Sequence, residues 1–270
     1  MSEFNLIIKP DPENAEEAEV YVDGALDGRP YRFLLDTGAA RSSIIQDEYT
    51  SQFDSLGKND SSGVFAAVSD DLITVPRLVI GPISRQNFTL VRAAATPSVK
   101  NLIGMDLLKE FCCHFLFDEQ RVLVDADDFS ESAYAFEPLF LDQRSHPYIN
   151  VQFGAAQAKA VWDTGASVTL VDLNFINSQP AFFAEAGQST GTDATGNQQE
   201  TPMFMMSAAV IGQRLFPPHR VAGVDLAPVN SQIEMPMDLI LGYSTLSKAN
   251  WVFDFPGARW SISKWLDAQI

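Results

Sequence analysis

The sequence is poor in cysteine and histidine, and each shortage excludes a class of protein. Only two cysteines occur in 270 residues, and they are adjacent, at Cys112 and Cys113. Neighbouring cysteines rarely satisfy disulfide geometry, so we expect no disulfide framework and interpret both as small buried apolar side chains in a reducing compartment. The three histidines, His114, His146 and His219, lack the spacing of metal ligands, and we interpret each as structural or surface.

Basic residues are also scarce. Eighteen Lys plus Arg stand against 35 Asp plus Glu, which gives a net charge of −17. Nucleic acid needs a basic surface and an anionic membrane repels an acidic protein, so we expect neither as a partner. No apolar run approaches the roughly 18 residues of a membrane-spanning helix. The N-terminal residues lack the pattern of a signal peptide, so we expect a cytoplasmic protein.

What the chain does contain is one unit present twice. FLLDTGAA at residues 33–40 returns as AVWDTGAS at 160–167, and NLIGMDLL at 101–108 returns as LILGYSTL at 239–246. The offset between copies grows from 127 to 138 residues along the chain, as insertions in loops between shared strands would produce. This order indicates a gene duplication that produced two lobes related by a pseudo-twofold axis.

The local pattern favours strands. Short runs rich in Val, Ile, Leu and Phe are broken by turn residues at intervals of about ten, which is typical of β-barrels and sandwiches. The best helix candidates are short segments after Gly104 and Gly242. We interpret Asp70 and Asp71 as the tip of a hairpin. We expect two lobes, residues 1–135 and 136–270, with residues 1–19 as a tail that includes a strand.

Each Asp-Thr-Gly sequence follows an apolar strand, so Asp36 and Asp163 are both delivered at a turn. Gly38 and Gly165 have no Cβ, and the backbone can therefore turn sharply and approach another group closely. If the two loops meet at the twofold axis, the two carboxylates face each other and share one proton. One carboxylate can then act as a base on water while the protonated one polarises a carbonyl group.

These paired motifs resemble the pepsin and retropepsin superfamily of aspartic proteases. In that superfamily an apolar-apolar-Asp-Thr-Gly loop is followed by an apolar-apolar-Gly motif and a short helix, an order found in residues 20–125 and again in 147–262. The chain looks like a single-chain fused pair of retropepsin-like units. The resemblance implies an all-β, bilobal acid-protease fold of two β-barrel lobes, each with a short helix. Terminal and linking strands would join the lobes in an interlobe sheet.

The resemblance also implies roles for the matched residues. Asp36 and Asp163 would be the catalytic pair. Support of the loops and contact with the substrate backbone would fall to Thr37, Gly38, Ser42, Gly104, Thr164, Gly165, Thr169 and Gly242. Flaps over the substrate would come from residues 61–66 and 192–197, and include Ser62, Gly63, Val64, Phe65, Asp193, Ala194, Thr195 and Gly196. Neither flap has the tyrosine of a pepsin flap, and Phe65 is the only aromatic residue in either segment. Because the two flap sequences differ, we expect the two halves not to be functionally equivalent.

The implied activity is that of an aspartic endopeptidase. It would hydrolyse a peptide or protein substrate with water activated between two aspartates, without a metal or cofactor, and as a monomer with an internal pseudo-dimer. The alternative is an inactive module of the same fold that binds a peptide or protein. Ala39 and Ala166 stand where pepsin-like loops often carry a hydroxyl that stabilises the ionised carboxylate. We therefore expect raised pKa values for the two aspartates and an activity optimum at roughly pH 4–6.5.

Overall fold

The computed structural model describes residues 2–63, 67–96, 98–125, 134–192 and 197–266. Strands dominate these residues, so the predicted all-β fold is confirmed. The strands are β1 (Ser2–Asn5), β2 (Ile7–Pro10), β3 (Ala18–Leu26), β4 (Arg29–Leu35), β5 (Ser43–Ile45), β6 (Gly57–Ser62), β7 (Ala67–Ile80), β8 (Ile83–Ala93), β9 (Leu102–Ile103), β10 (Cys112–Leu116), β11 (Arg121–Val124), β12 (Glu137–Pro138), β13 (Phe140–Leu141), β14 (Pro147–Phe153), β15 (Ala156–Trp162), β16 (Leu170–Asp172), β17 (Phe183–Thr192), β18 (Gln198–Met206), β19 (Ala209–Ile211), β20 (Arg214–Phe216), β21 (His219–Val224), β22 (Leu239–Leu241), β23 (Ala249–Asp254) and β24 (Arg259–Trp265).

The α-helices are short. They are α1 (Met105–Leu108), α2 (Leu173–Ser178), α3 (Ala227–Asn230) and α4 (Tyr243–Leu246), with single 3-10 turns at Thr50–Gln52 and Pro180–Phe182. Two of them, α1 and α4, follow Gly104 and Gly242 as predicted. The sequence analysis missed α2, although the carboxylate of Asp172 caps it by accepting the N–H of Asn174 at 3.3 Å. Within the described ranges, no helix has the length and apolar character needed to cross a membrane.

The first half of the chain, defined as residues 1–135, forms an eight-stranded sheet in the order β2-β3-β4-β9-β5-β8-β7-β6. Its strand β4 runs parallel to β9, with Leu35 opposite Ile103. The interpretation of Asp70 and Asp71 as a hairpin tip is wrong. Both lie inside β7, which continues for 14 residues because it pairs with β6 on one side and β8 on the other.

The second half, defined as residues 136–270, forms a ten-stranded sheet, and the strands around its Asp-Thr-Gly sequence pair as in the first half. Strand β15 runs parallel to β22, with Trp162 opposite Leu241, as β4 does with β9. Strand β16 runs parallel to β21, as β5 does with β8. In both halves the strand that ends before an Asp-Thr-Gly sequence therefore lies beside the strand that ends before Gly104 or Gly242.

A third sheet contains strands from both halves. Its order is β1-β11-β10-β23-β24-β12, and the pairing of β10 with β23 places Phe115 opposite Trp251. This is the sheet that the terminal and linking segments were expected to form. The linking segment contributes to two sheets. Its strand β12 joins this third sheet, whereas β13 pairs with β14 of the second half.

Aromatic side chains fill the interior above this sheet. The ring of Phe115 lies 4.7 Å from that of Trp162, and Trp162 lies 4.5 Å from Phe253. These residues and Trp251 are inaccessible to solvent. Replacing one such ring by alanine typically costs about 3–5 kcal/mol of stability. Because Trp162 immediately precedes Asp163, this packing also fixes the start of the second Asp-Thr-Gly loop.

Candidate active site

Two equivalent loops lie at the junction of the halves. The Asp36 loop (residues 36–42) follows β4, and the Asp163 loop (residues 163–169) follows β15. The backbone N–H of Asp36 donates to the carbonyl oxygen of Ile103 at 2.9 Å, and that of Asp163 to Leu241 at 3.0 Å. These bonds continue the parallel pairing of the strands. They hold each aspartate at a fixed distance from the glycine motif of its own half.

The two threonines clasp the opposite loops. The hydroxyl of Thr37 donates to the carbonyl oxygen of Trp162 at 2.8 Å, and that of Thr164 donates to Leu35 at 2.6 Å. Each hydroxyl also accepts the backbone N–H of the other threonine, at 3.1 and 3.2 Å. Both side chains are buried. The four bonds cross between the halves and bring the two loops into register with each other.

The glycines of the loops make room for the opposing carboxylates. A Cβ added to Gly38 would lie 2.6 Å from Cγ of Asp163, and one added to Gly165 would lie 2.4 Å from Cγ of Asp36. Such distances are far inside van der Waals contact. Only glycine therefore allows each loop to approach the carboxylate of the other half this closely.

Backbone N–H groups oppose a rise in pKa at both carboxylates: those of Gly165 and Gly38 at Asp163, and those of Ala39 and Gly38 at Asp36. Oδ1 of Asp163 accepts the N–H of Gly165 at 2.8 Å and that of Gly38 at 3.1 Å. Burial raises the pKa of Asp163, and these two donors oppose that rise. Burial also raises the pKa of Asp36, well above its ordinary value, and the charge of Asp163 raises it further. Two buried carboxylates this close titrate together and share one proton.

A buried histidine lies in the segment before the Asp163 half of the site. His146 precedes β14, and its Nδ1 lies 2.8 Å from Oδ2 of Asp142. Asp142 also accepts the backbone N–H groups of His146 and Arg144, each at 2.9 Å. The charge of His146 lowers the pKa of Asp163.

Ser42 supports the Asp36 loop from behind. Its hydroxyl accepts the N–H of Gly104 at 3.0 Å and donates to Oδ1 of Asp106 at 2.7 Å. The N–H of Ser42 also donates to both oxygens of Asp106, at 2.9 Å each. A Cβ on Gly104 would lie 2.7 Å from the carbonyl oxygen of Ala39. The glycine is thus packed directly against the loop that carries Asp36.

Thr169 supports the Asp163 loop in the corresponding place. Its hydroxyl accepts the N–H of Gly242 at 3.1 Å, and its own N–H donates to Oγ of Ser244 at 3.0 Å. A Cβ on Gly242 would lie 2.4 Å from the carbonyl oxygen of Val168. The second half therefore has hydroxyl groups where the first half has the carboxylate of Asp106.

The expected flaps fall at the ends of two β-hairpins. Strands β6 and β7 pair up to Ser62 and Ala67, and β17 and β18 pair up to Thr192 and Gln198. Gly63 is the last residue that the structure describes before residue 67. The remaining expected flap residues lie outside the described residues: Val64, Phe65, Asp193, Ala194, Thr195 and Gly196.

Sequence reasoning missed Asp106 and Ser244, which contact these loops, and Asp142 and His146, of which the histidine acts on Asp163 only through its charge. Asp106 could have been found, because it stands two residues after Gly104 in a motif already recognised. Ser244 occupies the same place after Gly242. Asp142 and His146 gave no signal, since a pair of residues four apart in a linking segment is common. No group of three or more His, Cys, Asp or Glu side chains suited to a metal ion occurs among the described residues.

The comparison with known families gives a match within the first half of the chain. Residues 22–110 match the family model described as gag-polyprotein putative aspartyl protease. This match covers about a third of the chain and includes the Asp36 loop, the first hairpin and α1. It supports a retropepsin-like aspartic protease at the level of the superfamily. No curated protein matches the sequence.

Proposed function

We propose that the protein is an aspartic endopeptidase in which Asp36 and Asp163 form the catalytic pair. The observation that carries the proposal is the reciprocal clasp of the two loops. The hydroxyls of Thr37 and Thr164 hold the loops together, and Gly38 reaches across to Asp163. Two buried carboxylates held in this way share one proton, which is the state that general acid–base hydrolysis of a peptide bond requires.

The different surroundings of the two aspartates suggest their roles. Asp163, with two backbone donors, is the ionised member and takes a proton from water. The water oxygen attacks the carbonyl carbon of the peptide bond while Asp36 donates its proton to the carbonyl oxygen. The tetrahedral product then collapses: the C–N bond breaks and the amide nitrogen leaves with a proton from Asp163, while Asp36 recovers its proton from the former carbonyl oxygen. No covalent intermediate with the protein forms.

We propose further that the chain is a fused pair of retropepsin-like units and acts as a monomer. Each half supplies one aspartate, one clasping threonine and one supporting glycine, and the pairing of β10 with β23 joins the halves. The substrate would be a peptide or protein segment that lies extended below the β6–β7 and β17–β18 hairpins. Extended segments commonly bind to strands through backbone hydrogen bonds.

The test is cleavage of a peptide library by the purified protein and by Asp36→Asn and Asp163→Asn. Because each variant removes one member of the acid–base pair, we expect kcat/KM to fall by at least about 10²-fold. Asp23→Asn is the matched control, since Asp23 is an exposed carboxylate on β3 paired with Arg32. Cleavage that survives in both variants would refute the proposal. Peptide binding without any cleavage by the wild type would support the binding module instead.

A further inference from the structure

His219 lies away from the two aspartates, yet hydrogen bonds connect it to the support of the Asp163 loop. It begins β21 and is 3% exposed. Its Nδ1 lies 2.9 Å from the carbonyl oxygen of Pro217, and its Nε2 lies 2.7 Å from Oγ1 of Thr245. A carbonyl oxygen can only accept, so Nδ1 carries the hydrogen of the neutral ring. Nε2 therefore accepts the hydroxyl proton of Thr245.

The direction of the next bonds follows from this one. Oγ1 of Thr245 lies 2.7 Å from Oγ1 of Thr169. Thr169 already accepts the N–H of Gly242 at 3.1 Å and the hydroxyl of Ser244 at 3.4 Å, so its own proton points to Thr245. A single chain of donors thus runs from Gly242 through Thr169 and Thr245 to His219.

The surroundings of His219 favour its neutral form. Burial lowers the pKa of His219, and the charge of Lys248, which follows α4, lowers it further. The carbonyl oxygen of Pro217 and the charge of Glu16, which precedes β3, act in the opposite direction. Arg220, next on β21, donates instead to the carbonyl oxygen of Ala186 at 3.3 Å. The neutral ring matches the hydrogen-bond directions given above.

Protonation of His219 would break the chain of donors. Nε2 would then donate to Oγ1 of Thr245, whose own proton would lose its acceptor in a site that is closed to solvent. The other hydrogen-bond partner of this hydroxyl in the structure is Oγ1 of Thr169, which already accepts two hydrogen bonds. A buried donor without a partner is costly, so the bond from Gly242 to Thr169 would be strained or lost. The first half avoids this, because its chain ends on the carboxylate of Asp106.

We propose that neutral His219 is a positioning residue for the Asp163 loop, and that its protonation sets an acid limit to activity. The effect passes through Thr245 and Thr169 to Gly242, which packs against the loop. This inference rests on the proposed function for its effect on activity. The hydrogen-bond directions themselves do not depend on that function.

The first experiment measures the tautomer of His219 without any assay of activity. A long-range ¹H–¹⁵N correlation spectrum of the full-length protein at neutral pH reports the protonation of both ring nitrogens, and the signal is assigned with His219→Gln. We expect a hydrogen on Nδ1 and none on Nε2. A hydrogen on Nε2 at neutral pH would overturn the inference.

The second experiment compares pH profiles of kcat. Glutamine can accept a hydrogen bond through Oε1 and does not titrate, so His219→Gln should keep activity near pH 6 and lose less of it in acid. We expect the ratio of variant to wild-type kcat to rise by about tenfold between pH 6.5 and 4. His114→Gln, at a half-buried histidine in the six-stranded sheet, is the matched control. A constant ratio for His219→Gln would overturn the inference.

The third experiment compares two variants of Thr245, so that loss of the hydroxyl can be separated from a failure to fold. Thr245→Val removes the hydroxyl between Thr169 and His219, and we expect kcat to fall by about tenfold with little change in KM. Thr245→Ser retains the hydroxyl and should restore kcat. Equal values for the two variants would contradict the inference. If the wild type cleaves no peptide, the proposed function fails, and the tautomer measurement still decides the arrangement around His219.

Discussion

Gly38 of the first half donates its backbone N–H to Asp163 of the second half, at 3.1 Å. The same oxygen, Oδ1, also accepts the N–H of Gly165 at 2.8 Å. Each half contributes one backbone N–H donor to the carboxylate of Asp163. The ionisation of Asp163 therefore depends on the loop of the other half as well as on its own.

A methyl group at Gly38 should abolish activity and leave most of the fold intact. The added Cβ of Gly38→Ala would meet Asp163 at 2.6 Å, so the loop must withdraw and its N–H must leave the carboxylate. We expect kcat/KM to fall by at least about 10²-fold. The control is Gly28→Ala, where φ is +82° but the Cβ meets open space. That variant should lose a little stability and retain its activity, and an active Gly38→Ala would contradict the geometry.

Asp36→Asn should stabilise the protein at neutral pH. Burial raises the pKa of Asp36 above the 3.8 of a free side chain, so the folded protein binds a proton that the unfolded chain releases. Wild-type stability therefore falls as pH rises from the unfolded to the folded pKa of Asp36, by about 1.4 kcal/mol for each pH unit between those two values. The variant lacks this loss. Urea unfolding at pH 4 and pH 7 measures the free energy of unfolding of both proteins. If the variant and the wild type differ by the same amount at both pH values, the raised pKa is disproved.

The clasp should contribute measurably to stability. Thr37→Val keeps the shape of the side chain but removes the bond to Trp162 and the acceptor for Thr164. We expect the free energy of unfolding to fall by about 2–4 kcal/mol, because both groups left behind are buried. Thr37→Ser should recover most of this loss. Thr74→Val, which breaks a hydroxyl pair with Thr89 inside one sheet, should cost less and leave activity unchanged.

A hydroxyl next to the loop glycine should move the pH profile toward acid. Ala39 and Ala166 follow Gly38 and Gly165, and neither can donate a side-chain hydrogen bond. In Ala39→Ser a hydroxyl could donate to the carboxylate and favour its ionised form, lowering the apparent pKa of the pair. We expect the acid limb of kcat/KM to shift by roughly 0.5–1 pH unit from a wild-type optimum near pH 4–6.5. An optimum near pH 2 in the wild type would refute the reasoning.

Local sequence patterns predicted the parts of the site that lie within single motifs. The strand before each Asp-Thr-Gly sequence, the helices after Gly104 and Gly242, and the all-β character all depend on short-range preferences. Asp70 and Asp71 were misplaced because acidic residues favour turns, whereas the pairing of β7 with two neighbours overrides that preference.

Long-range hydrogen bonds left no comparable signal. His219 reaches Thr169 through Thr245, and these residues come from three separate elements. Threonine and histidine are ordinary in strands and helices, so only packing in three dimensions reveals their connection. The interpretation of all three histidines as structural or surface did not anticipate the bonds around His219.

The pairing of β10 with β23 also fixes when the paired aspartates can exist during synthesis. Translation delivers Asp36 and its supporting glycine early, and Asp163 follows before the middle strands of the second half. Strand β23, which ends at Asp254, comes later than either aspartate. A growing chain therefore carries one carboxylate, then two, without the sheet that joins their halves. If the proposed function is correct, the growing chain is inert, and its own nascent segments are safe from it, until β23 has emerged from the ribosome.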